Sequence, residues 1–345
     1  MYNYFVSDQL ARLTIVLGIV ISTIIYKQTG RTLGGVIVCG YLALFIGQPM
    51  HIIITLTMAY CTFQIVHNIL KKRYMLNGRK LFEVEILVGL LFQVSWLTII
   101  KLLTKVDLDL SALYGIGFVL PGVIAHDMGR QGPINTLSSI SLGVLVVSLI
   151  IIPVSAIEQV LPLSVEHVPP TLYRSALQYS FPLKLLPFAI IASVVIDLLI
   201  YSKLQYRAGG FVTAAYVALF IFRPLDLLFV LVSSTLTLYL VKFVTTRVVL
   251  AFGRTKLGIM ILSGVVLSWF FETIVTNLSS GRYIPWSGFV VIMPTIVSLL
   301  ANDFDRQGAS RTVTAIVLSA AGVFLFMQVF VFAINIVGLN WLYVI

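Results

Sequence analysis

Apolar runs of helix length follow one another along nearly the whole chain, parted by short turns that carry most of the charge. In the first half they cover residues 13–26, 34–47, 50–70, 84–103, 110–125 and 134–157. A more polar stretch, 158–182, interrupts the rhythm with Pro162, Glu166, Pro169, Pro170 and Arg174. Six further runs follow at 183–201, 209–222, 225–244, 256–275, 287–300 and 312–337. A bilayer span takes about 20 mostly apolar residues, and the second and fifth runs of each half, at 14 to 16 residues, are marginal. The pattern predicts an all-α integral membrane protein of about twelve transmembrane segments in two six-segment repeats, with the second and fifth segment of each repeat short or broken. The repeats are expected at 1–157 and 183–345, joined by an extracellular or periplasmic linker at 158–182.

The two halves also match residue by residue. An offset of 175 places Tyr26 on Tyr201, Gly34-Gly35 on Gly209-Gly210, Tyr41 on Tyr216, Pro49 on Pro224, Gly78-Arg79 on Gly253-Arg254 and Gly89 on Gly264. At 176, Asp127, Arg130-Gln131-Gly132 and Thr136 fall on Asp303, Arg306-Gln307-Gly308 and Thr312. The register slips in between, since Pro121 lies nine residues before Arg130 and Pro294 twelve before Arg306. A tandem duplication accounts for the match.

Composition leaves no room for a soluble catalytic domain: 59% of residues are hydrophobic and 10% charged, against about 45–50% and 25% in soluble chains. The formal net charge of +10 could suggest nucleic acid, but the basic residues are scattered over short loops rather than gathered on one face. Membrane orientation explains them better. If every segment crosses, sixteen Lys and Arg fall on the side of the 71–80 and 242–256 loops and seven on the other. That places those loops in the cytoplasm and both termini outside. Arg12 alone precedes the first run, without a small-x-small cleavage site, so an uncleaved first helix is expected. Cys39 and Cys61 lie inside apolar runs and form no CxxC motif.

Few residues could carry chemistry. Arg130-Gln131-Gly132 and Arg306-Gln307-Gly308 fall in turns on the expected cytoplasmic side. Arginine's planar fork suits carboxylates and phosphates, so one reading is a pair of anion-contacting turns. The other is that Asp127 and Asp303, three residues earlier, pair locally with those arginines and close a loop. Arg79 and Arg254 either join the anion contact or serve orientation alone. Asp197, which matches Ser22, is a possible intramembrane carboxylate, for ion coupling or for reaching headgroups. Glu83 and Glu85 balance the basic loop beside them. His51, His67, His126 and His167 show no metal-ligand spacing, and no phosphate loop, HExxH, GxSxG or carboxylate pair occurs. No catalytic residue, metal or cofactor is expected in this chain.

The run Thr29-Gly30, Gly35-Val36-Ile37-Val38-Cys39-Gly40-Tyr41-Leu42-Ala43-Leu44 and Gln48-Pro49 resembles the signature of the PgsC/CapC membrane subunits of poly-gamma-glutamate synthesis. So does Gly115-Ile116-Gly117-Phe118-Val119-Leu120-Pro121-Gly122-Val123-Ile124-Ala125, followed by Arg130-Gln131-Gly132. The second half is similar but diverged, with Phe222-Arg223-Pro224 and Pro294-Thr295 in place of Gly-Gln-Pro and Pro-Gly. Family members are shorter, so the chain looks like a fused pair. The resemblance implies a bacterial or archaeal cytoplasmic membrane, and a complex with a PgsB/CapB-type amide ligase and other small membrane subunits. ATP and a divalent metal are expected on that ligase. This chain would anchor it and help move the anionic polymer across the bilayer, without being catalytic alone. The competing reading is a stand-alone secondary transporter of a small anionic substrate. A membrane-embedded transferase acting by itself has no acid, base or metal cluster to support it.

Overall fold

The computed structural model describes residues 8–104, 116–160, 179–247, 251–286, 289 and 291–337. Most of the expected linker, with Pro162, Glu166, Pro169, Pro170 and Arg174, lies outside them, as does the opening of the fifth run at 110–115. The described chain is helical. In order the helices are α1 (Asp8–Thr29), α2 (Val38–Ala43), α3 (Pro49–Ile65), α4 (Gly78–Thr104), α5 (Leu120–Gln131) and α6 (Pro133–Val160). The second half holds α7 (Leu186–Leu204), α8 (Thr213–Leu219), α9 (Pro224–Arg247), α10 (Gly253–Leu278), α11 (Ile292–Gln307) and α12 (Ala309–Val337). Helix α3 continues through a π-turn, Val66–Leu70, into a last turn at Lys71–Tyr74. Pro49, Pro133 and Pro224 open α3, α6 and α9, where a missing N–H forfeits no helical bond.

Among the described residues, seven helices are long and apolar enough to cross a membrane: α1, α3 with its extension, α6, α7, α9, α10 and α12. This corrects the expectation of about twelve transmembrane segments in two six-segment repeats. The second and fifth runs are apolar, yet they do not wind into long helices. The six and seven residues of α2 and α8 rise about 9–11 Å, and the 12 and 16 of α5 and α11 about 18–24 Å, short of a hydrocarbon core of about 30 Å. Helix α4 is 27 residues long but carries Arg79, Lys80, Glu83 and Glu85 near its start and is not one of the seven. The count of basic residues presupposed that every run crosses, and it loses that premise. Leu145, Leu149 and Ile152 on α6, with Val329, Phe332 and Ile336 on α12, are exposed, as lipid-facing surfaces require. The chain is a multi-pass membrane protein.

The short helices are the buried ones, and every residue of α2 is covered. Helix α2 packs on α1 and α6, and α8 on α7 and α12. Likewise α5 lies among α3, α4 and α6, and α11 among α9, α10 and α12. A Cβ on Gly122 would stand 2.4 Å from Ile86 Cα, and one on Gly89 2.6 Å from Gly122 N, so α4 and α5 cross backbone to backbone. Between the halves the fourth helix of each meets the first helix of the other, α10 on α1 and α4 on α7. This exchange is self-complementary in the way a two-fold axis makes an interface. The cores follow it: Ile261 and Val265 of α10 join the first half's apolar cluster, and Ile86 and Leu90 of α4 join the second's.

Candidate functional site

A cavity of about 520 Å³ lies where the halves meet, within the range of about 300–1,000 Å³ usual for ligand sites. Its wall is mainly apolar, with residues such as Val36, Phe82, Phe211 and Leu257. Four arginines also line it, Arg79, Arg207, Arg254 and Arg306, against the carboxylates of Glu83, Asp127 and Asp303. The interhelical exchange puts them there. Arg79 and Arg254 stand at the first turns of α4 and α10, which reach across to the opposite half.

One flank is closed by a crossed pair. Arg254 Nη2 donates to Asp127 Oδ1 at 2.6 Å, with the Asp127 side chain 3% exposed. The local partnership expected between Asp127 and Arg130 is thus replaced by one across the halves, because α5 and α10 bring these groups together. Arg130 is exposed and outside the cavity. The other flank differs. Arg79 Nε donates to Glu83 Oε1 within its own helix, and its guanidinium stands 4.6 Å from the centre of the Tyr201 ring. Asp303 Oδ2 accepts the Gly209 N–H at 3.2 Å. Its helix, α11, is not one of the seven spans. Burial pushes the Asp303 carboxyl above the ordinary aspartate value, opposed by Arg79, Arg207 and Arg306 and by the Gly209 bond.

The glutamines of the two Arg-Gln-Gly turns are engaged within the chain. Gln131 Nε2 donates to Thr32 O at 2.6 Å and to Thr136 Oγ1 at 3.0 Å, while its Oε1 accepts Thr32 N–H at 2.9 Å. Gln307 repeats this with Arg207 O at 2.6 Å, Thr312 Oγ1 at 2.8 Å and Arg207 N–H at 2.9 Å. Each amide therefore acts as a clamp holding the connecting stretch after α1 or α7 to a helical corner, rather than as an anion donor. The corners turn on Gly132 and Gly308, both at φ +88 and ψ above 150, a conformation open to glycine.

Asp197 is buried between α7 and α12, with Ser319 Oγ donating to its Oδ1 at 2.5 Å, rather than turned outward to headgroups. Sequence reasoning missed Arg207, whose matching residue is Thr32, so the comparison of halves gave no repeated arginine there. It also missed a chain of three groups. Glu85, fully buried on α4, meets His126 Nδ1 at 2.6 Å and His67 Nε2 at 2.8 Å, the latter on the π-turn of α3. Eighteen and 41 residues separate these histidines from Glu85, so no local spacing signals them. Among the described residues no group of three or more His, Cys, Asp or Glu is placed to hold a metal ion.

The family described as Capsule biosynthesis CapC matches this chain twice, over residues 17–137 and 192–313, together more than half of its length. The PGA biosynthesis protein CapC of Bacillus subtilis (strain 168) is 30% identical over 127 residues, which is 37% of this chain and 83% of that protein. The Capsule biosynthesis protein CapC of Bacillus anthracis is 31% identical over 124 residues, 35% of this chain and 78% of that protein. No solved structure matches the chain significantly.

Proposed function

Because the chain belongs to the CapC capsule biosynthesis family, we propose that it is the membrane subunit of a complex that makes and exports poly-gamma-glutamate or a related acidic polymer. It anchors an ATP-dependent amide ligase of the PgsB/CapB type and helps the anionic chain across the bilayer. The chain is not catalytic alone; ATP and a divalent metal belong to the ligase. The observation that carries this reading is the cavity where the two family-matching stretches meet, with arginines contributed by both. Guanidinium groups in a partly apolar recess attract carboxylates more strongly than they do in open water. The repeated family match and the repeated glutamine clamps support an origin by fusion of two family-like units.

The face bearing Lys71, Lys72, Arg79 and Arg254 points to the cytoplasm, where the polymer is made. With Cys39 and Cys61 replaced, a cysteine at exposed Lys72 should resist a membrane-impermeant maleimide in intact cells, whereas one at Arg282 should react; the opposite pattern refutes the orientation. The role itself is tested by removing the chain from cells that keep the ligase. The ligase should leave the membrane fraction and external polymer should fall to background. A ligase that stays on the membrane with polymer still exported would sink the proposal, and uptake of free glutamate by vesicles containing this chain alone would favour a transporter.

A further inference from the structure

The two flanks of the cavity are unequal, although the residues that build them correspond. On one flank Arg254 is already matched by Asp127 at 2.6 Å. On the other, Arg207 and Arg306 line the cavity and neither guanidinium makes a hydrogen bond or ion pair at bonding distance with the described residues. The acidic group nearest in influence is Asp303, which faces Arg79, Arg207 and Arg306 together and is bonded to the Gly209 N–H. The corresponding positions on the closed flank hold Thr32 for Arg207 and Arg130 for Arg306, and Arg130 stands outside the cavity. All of the cavity's uncommitted positive charge is therefore on one side. Phe211 and Leu299 also line the recess and suit the two methylenes that each γ-linked residue carries in the polymer backbone.

We infer that this flank is a carboxylate-binding site for the polymer, in which Arg207 and Arg306 grip a carboxylate of the passing γ-linked chain while Arg254, held by Asp127, stays structural. The inference takes the polymer's identity from the function proposed above. It adds which arginines touch the polymer, and that only one of the two matching flanks does so. Planar guanidinium groups give a carboxylate two parallel bonds, which an ammonium does not reproduce.

The test uses the full-length chain purified in detergent, without ligase, and a short γ-linked glutamate oligomer as probe, with the γ-linked isoglutamine oligomer, whose α-carboxylates are amides, and inorganic phosphate beside it. The glutamate oligomer should bind and its neutral counterpart should not. Arg207→Ala and Arg306→Ala should each weaken binding by about tenfold or more, the loss expected for a bond to a charged group. Arg207→Lys and Arg306→Lys should fall between, with size-exclusion profile and melting temperature unchanged, and Arg130→Ala should bind like the parent. No binding of the glutamate oligomer, equal binding of the isoglutamine oligomer, or equal losses at Arg130 and Arg306 would overturn the site. So would phosphate binding as tightly through the same arginines, which would mark a general small-anion site. Absence of oligomer binding by the parent chain, with the ligase dependent on that chain for its membrane anchoring, refutes this inference alone; a ligase indifferent to the chain, with oligomer binding intact, refutes only the proposed complex.

Discussion

Gln307 makes three hydrogen bonds that tie the residues ahead of α8 to the corner between α11 and α12, and in doing so fixes the backbone of Arg207. Replacing it with Ala should lower stability by about 2 kcal/mol. Gln307→Glu should do no better, because a carboxylate cannot donate to Arg207 O. Thermal unfolding in detergent reads this directly, and an unchanged melting temperature for both variants would show that the clamp is idle. A second residue-scale expectation concerns Asp303. Around it stand Arg79 and Glu83 on α4, Asp197 on α7, Arg207 ahead of α8 and Arg306 on its own helix. Burial raises its carboxyl above the ordinary aspartate value, so as the pH falls it takes up a proton before an ordinary aspartate does. A fall in pH should therefore remove a negative charge from the cavity and tighten binding of the oligomer for as long as the oligomer stays ionised. Asp303→Asn should bind more tightly at neutral pH and lose this part of the pH dependence. A slope that survives intact in Asp303→Asn would assign the effect to another group.

At the scale of helices, the crossing of α4 and α5 is set by Gly89 and Gly122, and the matching crossing of α10 and α11 by Gly264 and Ser298. Gly122→Val would place a branched side chain against the backbone of Ile86. Overpacking of about 1–3 kcal/mol is the ordinary consequence, and main-chain contact leaves little room to relax. The variant should show much reduced folded yield, whereas Ser298→Gly should be tolerated; normal yield of Gly122→Val would mean that the helices can part without loss. The order of apolar runs and the anchors Gly89/Gly264 and Pro49/Pro224 are legible in sequence, because hydrophobicity and backbone-limited residues report directly on burial and turns. Helix length is not. The runs holding α2 and α8 are as apolar as a span, but buried irregular backbone and buried helix are made from the same residues. At the site, Arg79, Arg254, Arg306 and Asp303 are legible as candidates from the match of halves. The pairing of Asp127 with Arg254 depends on which distant helices meet, and spacing of three residues suggests the wrong partner.

For the whole molecule, the contact of α1 with α10 is fastened at one place by Arg12 Nη2 to Glu272 Oε1, 2.6 Å, while farther along Gly258 lies against Thr23. With the contact of α4 and α7, this makes the halves mutually dependent. A protease site inserted within residues 161–178 and cut after folding should leave two fragments that co-elute and keep binding the oligomer. Separation of the fragments in mild detergent would show that the covalent link, not the helix exchange, holds them. The exchange has a further consequence for how such a cavity can change over generations. In an assembly of two identical chains, a substitution that fills one wall fills its twin as well, so neither wall can specialise. Within one continuous polypeptide the walls mutate independently, and Asp127 can lock its arginine while Arg207, where the other half has Thr32, adds charge opposite.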